Sequence, residues 1–224
     1  MENYEVLLAT LALLIGTSWA SGINLYAVLL VMGLGGSTGY IDLPVELAVL
    51  EDPLIIGVAG MMYVVEFFAD KIPGVDSIWD TIHTFIRIPA GAMLAAGTVG
   101  DVTPAMEIAA GLLGGSIAAT SHTTKSSTRL LINTSPEPAT NWSASVSEDL
   151  LVLTGLWTAL NYPLIFLTIF VLLIILTIWM LPKIWLLIKV FWTKIGKILG
   201  FKQGYTLKID NLGKSSNESK DNNL

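Results

Sequence analysis

The sequence predicts an all-α integral membrane protein with about six to seven transmembrane helices. Apolar residues make up 53% of the 224 residues, charged residues only 13%, and the mean hydropathy is +0.68. Soluble domains contain roughly 25% charged residues, so this composition is typical of a chain that lies in lipid. The third observation is the position of the charges, because every lysine and arginine can be placed on one side of a bilayer.

Seven apolar segments provide the predicted helices, at residues 4–20, 23–34, 53–69, 88–99, 104–120, 150–160 and 164–181. At about 1.5 Å per residue, several can cross a hydrocarbon core of about 30 Å, whereas others are short. Residues 6–34 could form two crossings or one re-entrant hairpin. Pro89 predicts a broken helix between residues 76 and 100.

Residues 16–22 and 119–125 share a faint similarity, which indicates either an internal repeat or chance. The glycines at 33–36 and 111–115 predict close helix packing.

The charge distribution predicts the topology. If the C-terminus is cytoplasmic, the cytoplasmic side contains Lys71, Arg87, Lys125, Arg129 and all later lysines. The charged residues on the opposite side are then all acidic. By the positive-inside rule, we expect a multi-pass protein of the cytoplasmic (inner) membrane with its N-terminus outside. The lipid bilayer is then its main partner, and a homo-oligomer is compatible with the sequence.

Composition divides the chain into three predicted regions. Residues 1–182 form one polytopic membrane domain, because no polar stretch within them is long enough for a second domain. Residues 183–202 mix apolar side chains with lysines and predict a basic amphipathic helix on anionic lipid headgroups, although an extension of the last helix explains them equally well. Residues 203–224 predict a disordered cytoplasmic tail. No basic patch interleaved with aromatic residues predicts nucleic-acid binding, and no cysteine is present.

Two polar stripes carry the candidate site. The first has the spacing i, i+4, i+7, i+11 and consists of Asp76, Asp80, His83 and Arg87. The second has the spacing i, i+3, i+7, i+11 and consists of His122, Lys125, Arg129 and Asn133. The first stripe spans about 60° of one helix face. Glu66 and Asp70 form a further acidic pair. Ionisable residues at membrane depth are functional candidates, whereas structural salt bridges near the interface would explain them equally well.

Carboxylate and imidazole groups together suit several divalent ions. Asp76, Asp80 and His83 could therefore hold a metal, but a structural pairing of the histidine is the simpler explanation. We predict no cofactor, with a divalent metal as the alternative, and no catalytic residue.

Four stretches carry a resemblance to a known family, at residues 21–26 (SGINLY), 63–80 (YVVEFFADKIPGVDSIWD), 83–87 (HTFIR) and 133–138 (NTSPEP). They resemble the membrane family catalogued as domain of unknown function 4126 (DUF4126), over about residues 7–182. The resemblance implies a compact polytopic bundle. It also implies that the family's characteristic polar positions are Glu66, Asp70, Lys71, Asp76, Asp80, His83, Arg87, Lys125, Arg129, Asn133 and Glu137.

The leading hypothesis is a transporter or channel for a small polar or ionic solute, with a cavity lined by the two stripes. In this interpretation Arg87, Lys125 and Arg129 attract an anionic group, the carboxylates pair with them, and His83 gates or relays protons. The substrate-binding or ion-binding candidates are the family positions above together with His122. Replacing Arg129 with alanine is expected to remove flux and keep the fold. The alternatives are a membrane-embedded metal-dependent enzyme acting on a lipid or headgroup, and a scaffold or assembly factor that recruits partners through residues 183–224.

Overall fold

The computed structural model describes residues 2–72, 74–100, 102–134 and 138–179, without the side chains of residues 2, 3 and 138. The described secondary structure is entirely helical, which confirms the predicted all-α class for this part of the chain. Its elements are α1 (Glu2–Ser37), a 3-10 helix (Val45–Glu51), α2 (Pro53–Ala69), α3 (Val75–Thr98), α4 (Pro104–Asn133), α5 (Pro138–Asn161) and α6 (Pro163–Trp179). Residues 1–170 form one compact unit, and residues 171–224 a second, of which only the end of α6 is described. The two predicted regions at 183–202 and 203–224, and Glu137, lie outside the described residues.

Helix α1 is a hairpin that is broken at Asn24, where the backbone leaves the helical conformation (φ −146°, ψ 92°). A straight helix of 36 residues would be about 54 Å long. Instead, Val6 and Ala9 near its start line the same cavity of about 680 Å³ as Tyr40 and Ile41, which follow its end. The chain therefore reverses direction at the break, which the two arrangements that the sequence allowed, two crossings or one re-entrant hairpin, have in common.

Helix α3 continues through Pro89 from Val75 to Thr98. The prediction of a broken helix at this proline is therefore wrong. Proline removes one backbone hydrogen bond, but α3 packs along α4 more extensively than any other pair of helices among the described residues. We attribute the continuity of α3 to this packing. The break lies instead in α1, where Asn24 Oδ1 accepts a hydrogen bond from the Ala27 amide at 3.0 Å and so replaces a helical acceptor.

Small residues bring α1, α3 and α4 close together. A Cβ atom added to Gly114 would lie 2.7 Å from Ser18 Oγ and 2.8 Å from the Gly91 carbonyl oxygen. A Cβ atom on Gly33 would lie 2.5 Å from the Leu50 carbonyl oxygen. Both contacts are too short for a side chain, so these positions require glycine. The prediction that the two glycine-rich stretches allow close packing is confirmed at these positions.

Among the described residues, many large apolar side chains are exposed while a group of ionisable side chains is buried. Leu112 and Leu131 on α4 and Phe85 on α3 are 70%, 72% and 81% exposed, whereas Glu66 and Arg87 are completely buried. By length and composition, one described helix, α1, is able to cross a bilayer; a second candidate exists only if the 3-10 helix and α2, which meet at 67°, count as one span. The predicted number of six to seven crossings is not confirmed.

Candidate functional site

A buried ionic network joins α2, α3, α4, α5 and the turn after α2. Within the described residues, its ion pairs connect three cations with four carboxylates. We call the following seven residues the ionic network: Glu66, Asp70, Asp80, Arg87, Lys125, Arg129 and Glu148. Helical spacing in the sequence places most of these residues on the same face of their helix. In the structure, those helix faces lie against one another.

Arg87 is shared between two carboxylates. Its Nη2 donates to Glu66 Oε1 at 2.7 Å, and its Nη1 donates to Asp80 Oδ1 at 2.9 Å. All three side chains have at most 1% of their surface exposed. A guanidinium group can bind two carboxylates in this way, but it supplies only one positive charge for both.

Lys125 is the centre of the ionic network. Its Nζ lies 2.7 Å from Asp70 Oδ2, and three further carboxylates are within 3.8 Å: Glu66, Asp80 and Glu148. It also donates to the Ile23 carbonyl oxygen at 3.1 Å. Because Lys125 holds four negative groups together, its charge is the hardest in the network to replace.

Arg129 connects the network to α5. It donates to Glu148 Oε2 at 2.7 Å, to Asn141 Oδ1 at 2.7 Å and to the Asp70 carbonyl oxygen at 3.2 Å. Its side chain is completely buried. Removing it would leave buried acceptors without a donor, so we expect Arg129→Ala to destabilise the protein. This variant is therefore unsuitable for separating flux from folding.

The break in α1 enters this network. We call residues 22–26 the hairpin tip. The Gly22 carbonyl oxygen faces His122 Nδ1 at 3.3 Å, and the Ile23 carbonyl oxygen accepts from Lys125. Asn24 Nδ2 donates to Asp149 Oδ1 at 2.9 Å. Backbone acceptors at the hairpin tip are thus directed at two polar side chains of α4, His122 and Lys125.

The two histidines have different hydrogen-bonding roles. His83 Nδ1 lies 2.8 Å from the Trp79 carbonyl oxygen, which can only accept, so Nδ1 of the neutral ring carries the hydrogen and Nε2 accepts from the Tyr26 hydroxyl at 3.1 Å. His122 Nδ1 faces both Arg87 Nη1, a donor, at 3.2 Å and the Gly22 carbonyl oxygen, an acceptor, at 3.3 Å. A single nitrogen cannot serve both, so His122 bonds either Arg87 or the hairpin tip.

The other predicted site residues lie around the network. Asn133 Nδ2 donates to both carboxylate oxygens of Asp76, at 3.0 and 3.1 Å. Lys71 donates to the Phe67 carbonyl oxygen at 2.9 Å, and its Nζ lies 2.9 Å from the centre of the Phe67 ring. Burial lowers the pKa of Lys71, and the nearby carboxylates of Asp149 and Asp70 oppose that shift.

The three metal-ligand candidates have separate partners. Asp76 binds Asn133, Asp80 binds Arg87, and both ring nitrogens of His83 are engaged. Among the described residues, no group of three or more His, Cys, Asp or Glu side chains is arranged to hold a metal ion. Their donor atoms therefore do not form a coordination shell in this arrangement.

A third polar stripe, on α5, was missed by the sequence analysis. It has the spacing i, i+4, i+7, i+8 and consists of Asn141, Ser145, Glu148 and Asp149. Asn141 and Ser145 are 1% exposed, and Ser145 Oγ accepts from Lys71 at 3.3 Å. The spacing was the available signal, because it places the four side chains on one helix face, as in the two stripes already recognised. Asn24 and Tyr26 were missed because an isolated polar residue in an apolar segment has no periodicity.

The chain matches the domain of unknown function DUF4126 over residues 11–183, which is more than half of its length. The chain belongs to the DUF4126 family. No curated protein and no solved structure matches it. The DUF4126 region contains the hairpin tip, the ionic network and the third stripe, so the complete site lies within the family domain.

We expect Gly22→Ala to destabilise the hairpin tip. A Cβ atom there would collide with Ser121 Oγ and the Ala118 carbonyl oxygen and would lie 3.0 Å from the His122 amide nitrogen. Overpacking of this kind costs about 1–3 kcal/mol. The free energy of unfolding in detergent or lipid should fall by that amount.

Gly57→Ala is the matched control, because nothing lies within 4 Å of a Cβ atom at Gly57. It should change stability by no more than about 1 kcal/mol, in the stabilising direction, since alanine favours helix over glycine. Equal stability of the two variants would contradict the close approach of the hairpin tip to α4.

Proposed function

We propose that this protein is a multi-pass membrane protein that moves a small cation through a site at the hairpin tip. An apolar exterior around an ionisable interior supports the membrane location, since charges in hydrocarbon are stable only when paired or facing a polar cavity. We retain the proposed orientation, with the N-terminus outside and the C-terminus in the cytoplasm. The bilayer is then the solvent for the exposed leucine, isoleucine and phenylalanine side chains.

The observation that carries the proposal is the break of α1 within the ionic network. Broken helices in transporters present backbone carbonyl groups to ions at the point of interruption. Here the carbonyl groups of Gly22 and Ile23 face His122 and Lys125. Asn24 lies thirteen residues before Ser37, the end of α1, so the hairpin tip is about 20 Å from that end. In a hydrocarbon core of about 30 Å, the tip would lie within the bilayer.

The sign of the charge favours a cation over an anion. Arg87, Lys125 and Arg129 each donate to a carboxylate at 2.7–2.9 Å. An anion would have to displace one of these partners, which would leave a buried carboxylate unpaired. A cation adds to the network without breaking a pair. The metal-dependent enzyme gains no specific support, because the described donor atoms form no coordination shell.

Ion flux into liposomes tests this function. Wild-type protein should transport at least one of H⁺, Na⁺ and K⁺ faster than protein-free liposomes do. Glu66→Gln should lower that flux by about tenfold or more, because a charge-assisted hydrogen bond of ~1.5–3 kcal/mol is changed at the site. Glu107→Gln, at an exposed position near the start of α4, is the matched control and should leave flux unchanged. Wild-type flux equal to that of empty liposomes for all three ions would contradict the proposal.

A further inference from the structure

The ionic network contains one more carboxylate than cations. Arg129 is closest to Glu148 at 2.7 Å, and Lys125 is closest to Asp70 at 2.7 Å. These two assignments leave Arg87, at 2.7 and 2.9 Å, as the nearest cation for both Glu66 and Asp80, while Lys125 lies 3.6 Å from each and is closer to Asp70. The surplus negative charge is therefore located at the Glu66 and Asp80 pair.

Both members of this pair have an oxygen atom without a partner. Glu66 Oε2 and Asp80 Oδ2 are buried and have no hydrogen-bond partner among the described residues. Their side chains are 0% and 1% exposed. A buried ionised carboxylate with an unsatisfied oxygen is strongly unfavourable, and such groups gain a proton or a counter-ion instead.

We propose that Glu66 holds one exchangeable proton beside Asp80, so that the ion taken by the site is H⁺. The step is a simple association: the Glu66 carboxylate binds one H⁺ and becomes a neutral carboxyl group, and the charge of the network rises from −1 to zero. Asp80 keeps its ion pair with Arg87. The neutral Glu66 no longer competes with Asp80 for the single charge of Arg87.

A proton fits this site better than a metal ion does. Metal ions such as Ca²⁺ need six to eight oxygen ligands, about 2.3–2.6 Å away, and the described residues offer no group of three suitable side chains. A proton needs one oxygen. The charged and titratable groups that face the pair come from several packed elements: Tyr26 on α1, Asp70 after α2, His83 and Arg87 on α3, and His122 and Lys125 on α4. The role of the proton in transport rests on the proposed function, whereas its presence at the pair does not.

Infrared spectroscopy of the full-length protein in lipid nanodiscs tests the proton directly. Wild-type protein near neutral pH should show the C=O stretch of a buried protonated carboxyl group, and the band should shift in D₂O. Glu66→Gln and Asp80→Asn should each abolish it, because either change removes the surplus charge. Glu107→Gln, an exposed charge change outside the network, is the control, and the band should remain because the charges of the network are unchanged.

Isotope labelling keeps the test valid if a variant does not fold. Wild-type protein labelled with ¹³C in the glutamate and aspartate carboxyl groups should show the band at lower frequency. Absence of the band in wild type would overturn the proposal, as would a band that survives in both Glu66→Gln and Asp80→Asn. A band that appears only after Na⁺ or K⁺ is removed would overturn it in favour of a metal cation. A band without ion flux would support the proton site and reject the proposed transport. Ion flux without the band would support transport and reject the proton site.

Discussion

Lys125→Met is expected to lower the free energy of unfolding by about 3–5 kcal/mol, the range measured when one partner of a buried ion pair is removed. Lys125 Nζ lies within 3.8 Å of four carboxylates and contacts the hairpin tip through the Ile23 carbonyl oxygen. Methionine keeps the approximate volume and removes the charge, so the carboxylates repel one another without compensation. Equilibrium unfolding in lipid or mixed micelles would measure the loss.

The double variant Asp70→Asn with Lys125→Met identifies the cause. Asp70 is the closest partner of Lys125, so removing its charge should restore part of the lost stability, and the two effects should not add. Glu107→Gln, an exposed charge change, should stay within about 0.5 kcal/mol of wild type. If Lys125→Met were as mild as this control, the carboxylates around Lys125 would not depend on its charge.

Asn24→Ala is expected to cost about 2–6 kcal/mol and to disorder the turn of the α1 hairpin. The side chain makes two buried hydrogen bonds, to Asp149 Oδ1 and from the Ala27 amide. Each buried group that loses its partner costs about 1–3 kcal/mol. Hydrogen exchange at residues 24–28 should increase along with the loss of stability.

Asn161→Ala provides the matched comparison, because Asn161 donates a hydrogen bond of the same length, 2.9 Å, to the Trp157 carbonyl oxygen at an exposed position. It should change stability by less than about 0.5 kcal/mol. Adding Asp149→Asn to the Asn24→Ala variant should recover stability, since it removes the unpaired charge. Equal losses for Asn24→Ala and Asn161→Ala would show that the break in α1 does not depend on its asparagine.

Sequence reasoning predicted the all-α class and grouped most of the charged residues correctly, because helical spacing places Asp80 with Arg87 and Lys125 with Arg129. It could not predict the three-dimensional partners of these residues. The partners depend on which helices are neighbours in the fold. From their charge alone, the cations could bind either an anionic ligand or carboxylates of the protein itself. The position of the broken helix was also wrong: Pro89 was the local signal, but packing of α3 along α4 tolerates it, whereas the break at Asn24 is stabilised by Asp149, which is 125 residues away in the chain.

That separation has a consequence for biogenesis. The hairpin tip is synthesised before its partners. The partner of Tyr26, His83, follows 57 residues later in the chain, and the partner of the Ile23 carbonyl, Lys125, follows 102 residues later. Asp149, the partner of Asn24, follows 125 residues later. Until α5 has emerged from the ribosome, the polar groups of the hairpin tip must find water or temporary partners. The N-terminal hairpin can therefore form all of its hydrogen bonds only after most of the domain has been synthesised. A chain truncated before Asp149 would lack the hydrogen bond from Asn24.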